Sequence, residues 1–298
     1  MTITVFTPTY NRAKLLERSY QAMRRQTNQN FVWLIVDDGS SDNTKDIVEI
    51  WANEKHDFQL KYVYKENGGL QSGYVEALKH IETDLCFCVD SDDYLLDDAI
   101  ERISKFWDEH GSEKYAGILA LDQFSDGNIL GGMFPGLKSG DEIDLLDIDI
   151  RKRIVRPMAD RMLVIRTEVY KTAKSAKCYP GERTINATYL HLQIAQRWKF
   201  ILLNEPICVV EYQTGGRSDF SHRLKDYCRV PNTYADWRLF KLGFKDLPFK
   251  EKCIQNIHYI AECILARRRI IKDSPTKALT VVLFPAGTFL YLYLKKYK

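Results

Sequence analysis

Over its first 121 residues the chain alternates short apolar runs with stretches of helical period. Ile3–Thr7, Phe31–Val36, Gln59–Tyr64 and Leu85–Val89 read as strands; Lys14–Arg25, a segment carrying Lys45 to Trp51, and Leu70–Ile81 read as helices. Alternation at this spacing predicts a mostly parallel sheet with helices on both faces. Each strand runs into polar or glycine-rich residues: Thr7-Pro8-Thr9, Asp37-Asp38-Gly39, Glu66-Asn67-Gly68-Gly69 and Asp90 to Asp93. In open α/β sheets, ligands bind outside the carboxyl ends of the strands, so these four ends converge on one edge, the expected site.

The last of them is the most specific. Leu85 to Val89 is a buried strand in pattern, yet Asp90, Asp92 and Asp93 follow at once. Clustered like charges need a cation, and hard carboxylate oxygens suit Mg²⁺ or Mn²⁺, which usually share their coordination with a substrate's phosphates. A nucleotide diphosphate is the expected ligand. The plainer alternative is acid decoration of a helix N-terminus, since Asp97, Asp98 and Glu101 come next.

The remaining sequence narrows the class. Seven cysteines, odd in number and without a CxxC pair, suggest neither a zinc site nor a disulfide framework, and fit a reducing cytosol. Ile3 to Phe6 already reads as a strand, so no signal peptide is expected. The net charge of +3 is unevenly placed: residues 241–298 hold 12 Lys/Arg and 4 Asp/Glu, leaving −5 on residues 1–240. Such asymmetry indicates a basic tail with its own partner. Beyond residue 121, glycines at 127, 131, 132, 136 and 140 mark loops; Arg161–Arg166 reads as a strand, Ile185–Arg197 as a helix, Phe200–Tyr212 as a strand pair interrupted at Asn204-Glu205-Pro206, and the chain from Ser221 as helical.

Taken in order, Phe6-Thr7-Pro8-Thr9-Tyr10-Asn11-Arg12, Val36 to Asp42, Asn67-Gly68-Gly69, Val89-Asp90-Ser91-Asp92-Asp93 and Asn204-Glu205-Pro206 resemble the family 2 glycosyltransferases of the inverting, bacterial polysaccharide-assembly type. The resemblance covers about residues 1–215. It implies a GT-A fold, Rossmann-like, over residues 1–220, with a helical C-terminal extension over 221–298. It also implies a metal-dependent transfer of sugar from a nucleotide donor, a UDP-sugar by preference, to a hydroxyl of a glycan or lipid-linked acceptor. Thr7, Pro8 and Tyr10 would line the base pocket. Asp38, or Asp37 in its place, would accept from the base edge, a role suited to a pure acceptor; Asp-Asp-Gly-Ser is equally a turn-and-cap sequence. Asn67, Gly68 and Gly69 would let backbone approach the nucleotide. Asp92 would ligate Mn²⁺ or Mg²⁺, with Asp90 reaching ribose or metal and Asp93 orienting the site. Relatives often place the catalytic base in a Glu-Asp pair opening a helix; here Glu182 is followed by Arg183, so Glu182 is the candidate and Asp160 the reserve. Glu182 is equally suited to complement a helix dipole. Arg217 would clamp the diphosphate.

Ala278–Leu294 is a 17-residue apolar run broken by Pro285 and Gly287 and flanked by Lys277 and Lys295-Lys296-Tyr297-Lys298. It is short for a bilayer crossing, and its coincidence of charge and apolarity suits a monotopic hairpin or interfacial helix on the inner face of the cell membrane; docking on its own domain or on a partner subunit is the alternative. The competing function is a degenerate transferase that binds nucleotide-sugar or glycan without chemistry. Nucleic-acid binding lacks the aromatic and basic sheet face it requires, and a nucleotidylyltransferase lacks a glycine-rich phosphate loop after the first strand.

Overall fold

The computed structural model describes residues 1–154, 160–182, 187–211 and 220–297. They form two compact units: the first comprises Met1–Leu145, Val155–Ser175 and Leu190–Glu211, the second Leu146–Ile154, Ala176–Tyr189 and Tyr212–Lys298.

The first unit is built on a nine-stranded sheet. Its parallel half contains β1 (Ile3–Thr9), β2 (Phe31–Asp37), β3 (Gln59–Tyr64) and β4 (Leu85–Cys88), connected through α1 (Ala13–Arg25), α2 (Thr44–Ala52) and α3 (Leu70–His80). Next come β5 (Tyr94–Leu95), α4 (Ala99–His110), β6 (Tyr115–Gln123), β7 (Glu142–Ile143), α5 (Leu145–Asp149), β8 (Met162–Arg166), α6 (Thr167–Tyr170), α7 (Thr188–Ala195) and β9 (Lys199–Val209). The sheet order is β3-β2-β1-β4-β8-β6-β9-β5, with β7 paired to β9. β8 runs antiparallel to both β4 and β6, so the sheet is mixed beyond β4.

β1 and β2 are buried at every position, as expected of central strands covered on both faces. One face is packed by α1, whose Leu16, Tyr20 and Met23 recur at helical spacing and are all buried. Tyr20 stacks on Trp51 of α2 with ring centroids 4.3 Å apart and lies 6.2 Å from Trp33 of β2. Its hydroxyl donates to Glu54, so the polar end of a buried ring is satisfied.

One expectation requires correction. Lys199–Val209 is a single long strand rather than an interrupted pair, and Tyr212 lies outside the described residues. The register against β6 skips from Leu203 to Pro206, so Asn204 and Glu205 are absorbed in a bulge while pairing resumes beyond it. Asn204 is buried and useful there: it accepts from Phe134 N and donates to the carbonyls of Phe134 and Leu137, pinning the loop that precedes β7.

The second unit is helical: α8 (Phe220–Arg229), α9 (Pro231–Leu242), α10 (Phe249–Leu265), α11 (Ile270–Asp273), α12 (Lys277–Val282) and α13 (Phe284–Leu294). Arg238 of α9 and Glu262 of α10 form a buried ion pair at 3.1 Å, supplemented by Gln255. α13 approaches α10 through Gly287, where a Cβ would lie 2.4 Å from Ile260. Among the described residues no helix is long and apolar enough to cross a membrane.

β6 and β8 meet at Gly117, where an added Cβ would lie 1.9 Å from the carbonyl oxygen of Val164. Gly117→Ala is expected to destabilise the first unit by about 2 kcal/mol or more, since the obstacle is backbone within a buried ladder. Urea denaturation followed by tryptophan fluorescence would measure it; an unchanged midpoint would show that the strand pair relaxes freely.

Candidate active site

The carboxyl ends of β1, β2 and β4 lie side by side because the three strands are adjacent and parallel. The loops leaving them are tied together. Asn11, at the left-handed φ of 52°, accepts from Ser41 N through its side chain, while its own N–H donates to Ser40 Oγ. Asp42 accepts from Ala13 N at the start of α1 and from Thr44 N at the start of α2. A single carboxylate thus holds the amino ends of two helices.

At the end of β2, Asp37 accepts from Tyr62 Oη at 2.6 Å and Ser40 N at 2.8 Å. Asp38 is buried and pairs with Lys65 at 2.6 Å; it also accepts from Gly68 N, Gly69 N and Ser72 Oγ. Asn67 donates to the Asp38 carbonyl. Asp38 therefore fastens the Glu66–Gly69 loop against β2. Gly39 is required at the contact: its φ is 83°, and a Cβ would meet Asn67 N at 2.8 Å. On β1, Thr7 is buried and accepts from Trp33 Nε1, Pro8 faces Gly73 of α3 across a gap that leaves a Cβ only 3.0 Å away, and Tyr10 is exposed.

At the end of β4, one oxygen from each of Asp90, Asp92 and Asp93 lies within 4.8 Å of the others. At that spacing like charges repel by about 3 kcal/mol per pair at an effective dielectric of about 20. Asp90 is exposed as a residue, yet desolvation of its carboxyl, then Asp92, pushes that carboxyl above its ordinary value. Burial, then Asp90, pushes Asp93 up to about 8, against the opposing hydrogen bond from Glu211 N. Asp92 is neutralised by Arg12 at 2.5 Å. Arg18 braces the turn from below, donating to the Asp92 carbonyl and pairing with Glu211. Three convergent hard oxygens around a charge deficit fit a divalent cation.

Two residues here escaped the sequence reading. Arg12 closes the quoted Thr-Pro-Thr-Tyr-Asn-Arg stretch, where only the earlier positions received roles. Asp122 is the penultimate residue of β6, buried, with its carboxyl pushed up to about 8 by desolvation first and by Asp160 and Asp90 next. An acid ending an apolar strand is the signature that singled out Asp90, but residues from 122 onward read as loop. Asp160 is exposed, and its charge is felt at both Asp90 and Asp122. Glu182 accepts from Asn232 N, Asn232 Nδ2 and Thr233 N, capping α9 within the helical unit. Arg217 lies outside the described residues.

Residues 4–128 match the model of Glycosyl transferase family 2. That match spans β1 through β6 and leaves the rest of the chain outside it. In sequence the chain is similar to an uncharacterized glycosyltransferase of Rickettsia conorii, 36% identical over 108 residues, which is 36% of this chain and 17% of that protein. It is 32% identical over 115 residues to TarS of Staphylococcus aureus, a poly(ribitol-phosphate) beta-N-acetylglucosaminyltransferase, covering 38% of this chain and 20% of TarS. The matched stretch is thus about a fifth or less of these relatives' length. In structure, TarS residues 1–349 in complex with UDP superpose with a TM-score of 0.60 at 18% identity, over 99% of this chain and 90% of that one. The mannosyltransferase PcManGT of Pyrobaculum calidifontis, in complex with GDP-Man and Mn²⁺, gives 0.54 at 16% identity, over 99% and 81%. The fold is GT-A, and the acidic cluster lies after β4 at the carboxyl edge of the sheet.

Because the folded-state pKa of Asp93 lies above its unfolded value, the native state binds its proton more tightly. The stability this gives is full below about pH 4 and lost as the pH rises toward 8. In metal-free buffer, Asp93→Asn is expected to melt about 3 °C or more above the wild type at pH 8, with the gap closing toward pH 5. Scanning fluorimetry in EDTA across that range measures it; a gap that widens on acidification would contradict the assignment.

Proposed function

We propose that the chain is a metal-dependent inverting glycosyltransferase that moves a sugar from a nucleotide diphosphate donor, a UDP-sugar by preference, to a hydroxyl of a glycan or lipid-linked glycan during surface polysaccharide or glycoconjugate synthesis. The observation that carries it is the convergence of Asp90, Asp92 and Asp93 within 4.8 Å at the strand edge of a family 2 domain. A Mn²⁺ or Mg²⁺ ion held there by these carboxylates would supply Lewis-acid stabilisation of the departing diphosphate. Arg12, released from Asp92 by such an ion, is a cation of the right shape for a phosphate oxygen; Arg217 is proposed as a second. Thr7, Pro8 and Tyr10 flank the base, and the loop fastened by Asp38 brings the Asn67–Gly69 backbone beside the nucleotide.

The acceptor hydroxyl must lose a proton, and the base for it is one of two carboxylates. Glu182 already receives three hydrogen bonds at the amino end of α9. Asp160 is exposed and within electrostatic reach of Asp90. The role is assigned to Asp160. UDP release from a panel of UDP-sugars, with membrane lipid extract as acceptor source, tests this chemistry. Asp92→Asn is expected to lower kcat/KM at least about 100-fold, as is EDTA, with Mn²⁺ restoring the latter. Asp160→Asn is expected to lower kcat about 100-fold or more, whereas Glu182→Ala lowers Tm and spares turnover. Nucleotide-sugar binding without turnover in the wild type would favour the degenerate binding module instead.

The same proposal places the enzyme peripherally on the inner face of the cell membrane. Val281, Val282, Phe284, Phe289, Leu292 and Tyr293 expose apolar surface along α12 and α13, Val282 at 72% and Phe289 at 74%. From Ser274 to the C-terminus the chain has no Asp or Glu, while Lys277, Lys295 and Lys296 border that surface. Apolar area flanked in sequence by cations and no acids is complementary to anionic headgroups over an acyl boundary. Sedimentation with phosphatidylglycerol vesicles is expected to exceed that with phosphatidylcholine vesicles, and Val282→Glu with Phe289→Glu to weaken it about tenfold or more. Equal sedimentation by the double variant, or a concentration-dependent dimer that it abolishes, would assign the surface elsewhere.

A further inference from the structure

We propose that Asp122 contacts the sugar of the donor, bonding to one of its hydroxyls and so helping to select which sugar is transferred. This rests on the nucleotide-sugar reading above. Asp122 stands next to the carboxyl end of β6, is 3% exposed, and its Oδ1 has no hydrogen-bond partner among the described residues. Buried polar atoms are almost always paired, and an orphan is destabilising. One that borders a binding site is explained when the ligand brings the missing partner.

The chemistry of that partner follows from position. Asp122 is not among the three carboxylates whose oxygens lie within 4.8 Å of one another, so it stands beside the metal cluster rather than in it. It is nevertheless close enough to feel the charges of Asp90, Asp160 and Arg161. Sheet order sets the direction. Asp37 and Asp38 end β2, Asp90 follows β4, and β6 is two strands beyond β4 on the side away from β2. Strands repeat at about 4.8 Å, so the edge runs from nucleoside to diphosphate to a point about 10 Å further along. The group attached beyond a diphosphate is the sugar. A phosphate would be repelled by this carboxyl. A neutral hydroxyl suits it in either protonation state, because a hydroxyl both donates and accepts.

Titration calorimetry with Mn²⁺ and UDP, UDP-glucose, UDP-galactose and UDP-N-acetylglucosamine, on wild type, Asp122→Asn and Asp122→Ala, tests the proposal. UDP is expected to bind all three proteins alike. The affinity of the preferred UDP-sugar relative to UDP is expected to fall about tenfold in the variants, with discrimination among the sugars narrowing, because a site built to bond a hydroxyl loses its partner. The apo melting temperature of Asp122→Asn is not expected to fall, since a crowded buried charge is removed. Unchanged UDP-sugar binding, including the case where only turnover drops, overturns the assignment. A parallel loss of UDP and Mn²⁺ affinity also overturns it, placing Asp122 at the metal or in the framework. Failure of wild type to bind any of the four ligands overturns the nucleotide-sugar reading itself, and this inference with it.

Discussion

Mutual repulsion among carboxylates at the end of β4 is the constraint around which the first unit is arranged. Asp90, Asp92 and Asp93 are held together by a buried strand on one side and by Arg18, Ser19 and Glu211 N on the other. Left to themselves these acids would separate or take up protons. Instead the backbone is fixed by bonds to the Asp92 and Asp93 carbonyls, so the side chains have little freedom to move apart. The strain is electrostatic, concentrated at one edge, and relieved by positive charge. Arg12 supplies part of it, and a divalent ion would supply the rest.

Around that point the loops are stiffened by acids with a different role. Asp38 and Asp42 each collect donors from more than one segment: Asp38 from Lys65, Gly68 and Gly69, Asp42 from the first turns of α1 and α2. Their carboxylates are satisfied, which is why they serve as fasteners. The distinction between satisfied and frustrated carboxylates separates architecture from chemistry more sharply than burial does. By that criterion Glu182, with three donors, groups with Asp38 and Asp42, whereas Asp93 and Asp122 are the carboxyls left strained by burial and neighbouring charge.

Much of this was legible in the chain. Strand and helix periods located β1 to β4 and α1 to α3 within a residue or two, because β1, β2 and most of β4 are buried on both faces and each helix has one apolar face. The acidic cluster was legible because its residues are contiguous. What could not be read was anything set by contacts distant in sequence. The bulge at Asn204 and Glu205 arises from pairing with β6, the antiparallel β8 from its place between β4 and β6, and the capping role of Glu182 from a helix that begins 49 residues later. Local pattern carries no record of such partners.

Asp122 illustrates the same limit from the other side. Its local context, an apolar strand ending in one acid, is weaker than the triple acid after β4 and was outweighed by the glycines that follow. Only the sheet order, in which β6 joins after β8 reverses direction, brings it to the edge that β4 defines. A residue on a distant strand can then be added or exchanged without disturbing the metal cluster, since it shares neither its loop nor its ligands. That separation gives a fold of this kind a way to keep one diphosphate-binding edge while changing the sugar it accepts. Under the proposed assignments the carboxylates after β4 would have to stay together to hold a cation, while Asp122 would be constrained only by the hydroxyl it meets.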